Sequence, residues 1–78
     1  MKYRPLKSKD VIRALEKIGF ENRGGARHVK MFRPSSGTII TIPRAHDLSP
    51  SLVRAVVKQV SGRGDASEED IERGLFDL

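Results

Sequence analysis

The 78-residue chain holds no cysteine, which removes disulfides and thiolate metal sites, and a chain this short builds one modest core rather than a large enclosed active site. Its net charge of +5 is uneven: residues 1–60 carry thirteen Lys or Arg against four acids, a net +9, while residues 61–78 carry two against six, a net −4. Such a basic body attracts polyanions of any kind, and no apolar run reaches the roughly 20 residues that cross a bilayer.

These features predict a single domain over 1–78, with a basic body at 1–60 and an acidic linker and helix at 61–78. Cytoplasmic residence is the expectation, because Met1-Lys2-Tyr3-Arg4-Pro5 is not followed by the apolar core of a signal peptide.

In chain order, Ser8 is a candidate N-cap, and Val11, Ile12, Leu15 and Ile18 recur at helical spacing before Gly19, so a helix is predicted over 9–18. Lys9, Arg13 and Lys17 form a basic stripe on another face, open to two readings: a solvated surface or a nucleic-acid contact. A short strand over 20–23 leads to Gly24-Gly25, which suits a tight turn. From His28 to Arg33 the pattern alternates, with Val29 and Met31 on one side and His28, Lys30 and Phe32 on the other.

Pro34-Ser35-Ser36-Gly37 then reads as a turn, and the β-branched run 38–42 as the returning strand of a hairpin. Ser49-Pro50 is the strongest helix start, an N-cap followed by proline in the first turn, and Leu52, Val53, Val56, Val57 and Val60 line one side of a helix over about 50–60. After Ser61-Gly62-Arg63-Gly64-Asp65, the acids that follow Ser67 open a third helix, with Ile71, Leu75 and Phe76 as its apolar side. The resulting class is α+β. It has the α-β-β-β-α plan of the double-stranded-RNA-binding domain, a three-stranded antiparallel sheet with helices on one face and the other face open, plus a short C-terminal helix.

No Gly-rich phosphate loop, catalytic carboxylate pair or metal-ligand cluster is present, so neither a metal nor a small-molecule cofactor is expected. What remains is histidine. Alternation sends His28 to the open face beside Lys30, just after Arg27, and an imidazole exchanges protons near neutral pH while cations attract phosphate. That is equipment for RNA self-cleavage, in which a base removes the 2′-OH proton and cations steady the pentavalent phosphorane. On position alone, a plain surface histidine remains the favoured reading of His28. His46, in a polar loop near the Ser49-Pro50 helix start, reads first as a loop histidine without chemistry.

The run Lys7-Ser8-Lys9-Asp10-Val11-Ile12-Arg13-Ala14-Leu15-Glu16-Lys17-Ile18-Gly19-Phe20, followed by Gly25-Ala26-Arg27-His28-Val29-Lys30-Met31 and by Thr41-Ile42-Pro43, resembles the HicA (YcfA-like) toxins. Ser49-Pro50-Ser51-Leu52-Val53-Arg54-Ala55-Val56 is similar to the start of their second helix, and the likeness covers about residues 6–60. The resemblance implies a toxin that cleaves messenger RNA without a cofactor and is neutralised by a HicB-like antitoxin. It also implies that His28 is catalytic, since it occupies the place of the histidine in the family's Gly-Ser-His motif. Arg27 replaces the serine, and Gly25 stands three positions before the histidine rather than two. Arg27, Lys30 and Arg33 are then candidate phosphate contacts, with Lys9 and Arg13 as further RNA-binding candidates. The alternative is a binding module of the same fold that holds RNA or DNA without cutting it.

Overall fold

The computed structural model describes residues 3–44 and 47–76, so the reading of His46 lies outside the described residues. The element order is α1 (Ser8–Lys17), β1 (Glu21–Asn22), β2 (His28–Arg33), β3 (Thr38–Pro43), α2 (Pro50–Gly62) and α3 (Glu68–Phe76).

Helix α1 buries Val11, Ala14 and Leu15. Its N-cap is Lys7, whose side chain makes no capping bond, so Ser8 belongs to the first turn rather than preceding it. At the other end the Phe20 N–H donates to the Leu15 carbonyl and the Gly19 N–H to that of Glu16, both 3.1 Å. This doubly bonded stop requires a left-handed residue, and Gly19 supplies it at φ 98°. The same closure turns Phe20 into the core, which is why β1 is shorter than the strand predicted over 20–23.

The sheet is an antiparallel meander in the order β1-β2-β3. Strands β2 and β3 pair His28 with Pro43, Lys30 with Thr41 and Phe32 with Ile39 on one face, and Val29 with Ile42, Met31 with Ile40 and Arg33 with Thr38 on the other. Val29, Met31, Ile40 and Ile42 are buried in one apolar cluster with Val11 and Leu15 of α1, Val53, Val56, Val57 and Val60 of α2, and Ile71, Leu75 and Phe76 of α3. All three helices therefore cover the same side of the sheet, and the face bearing His28, Lys30 and Ile39 is exposed.

Helix α2 starts as the Ser49-Pro50 signal predicts, with the Ser49 hydroxyl accepting from the Leu52 N–H at 3.2 Å. Helix α3 is capped in the same way by Ser67, which accepts from the Asp70 N–H at 3.1 Å. The N-terminal arm closes over this helix: Tyr3 donates to Glu72, its ring meets Phe76 edge-on, and the Arg4 guanidinium lies 5.5 Å from the Phe76 ring centre. No helix among the described residues is long and apolar enough to cross a membrane.

Candidate nucleic-acid interface

The open face ends at a cationic corner built by the β1–β2 turn. The Arg23 N–H donates to the Lys30 carbonyl (2.8 Å) and the Lys30 N–H to that of Gly24 (3.1 Å), so the chain doubles back tightly before β2. Gly25, at φ +141°, passes so close to the His28 carbonyl that a Cβ would stand 1.8 Å from that oxygen. A side chain at 25 is thus excluded, and the backbone carrying His28 is held by the turn itself.

His28 opens β2 as an exposed side chain, paired across the ladder with Pro43. Lys30, two residues on, shares its face and is also exposed. Arg27, exposed and just outside the strand, is held by the Arg44 N–H, which donates to its carbonyl at 2.9 Å. The Arg44 guanidinium in turn donates from Nε to the Gly25 carbonyl at 2.6 Å. Arg44 is the site residue that reading along the sequence missed. Counting the hairpin register outward from the Pro34–Gly37 turn would have found it, because residue 44 falls opposite residue 27.

Farther along β2, Phe32 and Ile39 face each other across the ladder. The Arg23 guanidinium lies 5.0 Å from the Phe32 ring centre and pairs with Glu21 at 3.0 Å. Arg23, Lys30, Phe32 and Ile39 line a shallow groove on the open face.

The remaining cations expected to meet phosphate lie elsewhere. Arg33 follows the alternation of Val29 and Met31 onto the helix side, where its Nε donates to the Ile18 carbonyl (3.0 Å) and its Nη1 to Asp65 (2.9 Å). Its guanidinium is paired with a carboxylate side chain that is fully buried, so Arg33 ties the helix side together, on the opposite face from His28 and Lys30. Lys9 and Arg13 are exposed on α1, in the helical layer, and Arg13 lines a depression with Arg4, Asp10, Lys17 and Gly74 against α3. The fold does not bring either residue to the face that carries His28.

The acids are segregated too. Glu68 pairs with Lys58 at 2.6 Å and Glu69 with Arg73 at 2.8 Å, so these carboxylates neutralise cations of the helical layer rather than the corner around His28. Among the described residues, no cluster of three or more His, Asp or Glu is placed to hold a metal ion. An exposed imidazole on the same open face as Lys30, next to a turn that carries Arg27 and binds Arg44, is suited to a site where cations hold an anionic diester and the imidazole exchanges a proton with a neighbouring hydroxyl.

Compared with known protein families, residues 8–61 match the model of the HicA toxin of bacterial toxin–antitoxin systems. No curated protein and no solved structure matches the chain.

Proposed function

Because the chain belongs to the HicA toxin family of bacterial toxin–antitoxin systems, we propose that it is an endoribonuclease that cleaves messenger RNA in the cytoplasm, with His28 as its acid–base and a HicB-like protein as its antitoxin. The observation that carries this reading is the exposed His28 at the start of β2, on the face no helix covers, with Lys30 beside it and Arg27 and Arg44 at the same corner.

The chemistry needs no metal or cofactor, because RNA brings its own nucleophile. His28 takes the 2′-OH proton, the 2′-oxygen bonds to phosphorus, and the bond from phosphorus to the 5′-oxygen breaks. The leaving oxygen receives a proton from the imidazolium or from water. The products are a 2′,3′-cyclic phosphate and a 5′-hydroxyl. Lys30, Arg27 and Arg44 hold the diester and favour the extra negative charge of the phosphorane over the ground state. One well-placed acid–base group contributes about 10²–10⁴-fold, and cationic stabilisation of the phosphorane adds to it.

A cationic open face also suits an acidic antitoxin, since complementary charge speeds and orients association. The test is expression in growing cells. The native chain is expected to slow growth and deplete transcripts, and folded His28→Ala to do neither. Full toxicity of that folded variant would overturn the assignment of His28.

A further inference from the structure

We infer that the groove formed by Arg23, Phe32 and Ile39 is a base-binding subsite, which seats one nucleobase of a single-stranded RNA whose backbone runs along β2 toward His28. The inference rests on the nuclease reading for its direction but not for its existence.

Three observations favour a base over other occupants. Ile39 is 61% exposed, the large apolar side chain most open to solvent among the described residues, and it stands directly opposite the half-buried Phe32. The Arg23 guanidinium already lies 5.0 Å from the Phe32 ring centre, so a planar cation and an aromatic ring meet in the wall of the groove that Ile39 also lines. A planar, polarisable base fits between such a surface and an aliphatic side chain, and stacking of this kind accepts any base because every base has a π-face. The charges around the groove, Arg23 and Lys30, suit a polyanion, and Glu21 is already paired with Arg23.

The spacing connects this groove to the reacting corner. His28, Lys30 and Phe32 project from one face at two-residue steps, each about 7 Å along the strand. An extended RNA strand repeats its phosphates at a similar interval. With the scissile diester at His28, the neighbouring phosphate meets Lys30 and the next base reaches Phe32 and Ile39. The subsite would set register: it decides which linkage lies at His28 without reading a specific letter.

The test is a coupling measurement. Binding of short single-stranded RNAs, each with one base deleted to an abasic ribose, is measured for a His28→Ala parent, which prevents cutting, and for the same parent with Ile39→Ser or Arg23→Gln added. Both substituted side chains are exposed, and a thermal melt of each variant establishes that it is folded. Deleting the base at one position is expected to weaken binding about tenfold for the parent and to have little further effect in the two variants. An equal loss at every position, or full coupling retained in both variants, would overturn the subsite. So would variants that bind RNA normally but lose an acidic antitoxin, because the groove would then be a protein contact. If coupling is seen while the native chain leaves the same RNAs uncut, the subsite stands and the nuclease reading falls.

Discussion

Arg33 reaches across the helix side of the sheet to Asp65, an ion pair of 2.9 Å whose carboxylate is fully buried while the guanidinium keeps 27% of its side-chain surface exposed. Through this contact and the Arg33 bond to the Ile18 carbonyl, one side chain joins the end of α1, the end of β2 and the link between α2 and α3. Burial alone would raise the Asp65 carboxyl, but the hydroxyls of Ser36 and Thr38 and the charge of Arg33 outweigh it and hold the group below the usual aspartate range. Oδ1 accepts from Arg33, while the second oxygen, Oδ2, is buried without a hydrogen bond, so Arg33 supplies the opposite charge that offsets the burial.

Removing Arg33 leaves that carboxylate buried and unpaired. Arg33→Ala is expected to cost about 3 kcal/mol, as seen when one partner of a buried pair is deleted. Because the folded carboxyl holds its proton less tightly than the unfolded one, its stabilisation is complete above the unfolded value of about 4 and is lost as pH falls below it. Chemical denaturation followed from neutral to acid pH checks both effects: the native chain should weaken on acidification, and Asp65→Asn should weaken less steeply.

Tyr3 provides the opposite case at high pH. Burial, the hydrogen bond to Glu72 and the charge of that carboxylate push its phenol up to about 12. A raised phenol stabilises the fold below the unfolded value near 10, and that contribution disappears as pH rises toward 12. Tyr3 is the sole tyrosine, so an ultraviolet titration reads it directly. Ionisation is expected late in the folded protein and near pH 10 in denaturant.

Gly25→Ala is expected to damage the site more than the fold. The new methyl group would collide with the His28 carbonyl in a backbone conformation that favours glycine. The turn must open, moving His28 away from Lys30 and Arg44, and cleavage should fall by more than tenfold while the core helices persist. Activity assays beside circular dichroism distinguish this outcome from general unfolding.

Much of this was legible in the sequence because period-two alternation and strong caps report directly on burial. Val29 and Met31 against His28 and Lys30 predicted which face is open, and Ser49-Pro50 marked the start of α2. The misreadings have local causes. Ser8 looks like a cap because its side chain could serve as one, yet Lys7 has the extended backbone and no side-chain bond is made there. Arg33 was grouped with Lys30 by charge, although alternation assigns it to the side of Met31. Asp65 sits in a stretch that reads as a simple breaker, and no local pattern announces a partner 32 residues away. Arg44 required pairing register, which emerges once the hairpin is closed.

The placement of the cations predicts unequal consequences for RNA. Lys30→Ala should weaken binding to single-stranded RNA and reduce the salt slope by about 0.7, the share of one phosphate contact. Lys9→Ala and Arg13→Ala, which alter the helical layer, should leave that slope almost unchanged. Binding titrations over a range of salt concentrations separate the two groups.

Analysis of RNA ends after incubation with purified protein tests the central claim most directly. The native chain should generate 2′,3′-cyclic phosphate and 5′-hydroxyl ends in the presence of chelator, and His28→Ala, with an unchanged melting temperature, should generate them at least about a hundredfold more slowly. Intact RNA with the native chain, or equal cleavage by the folded variant, would contradict it.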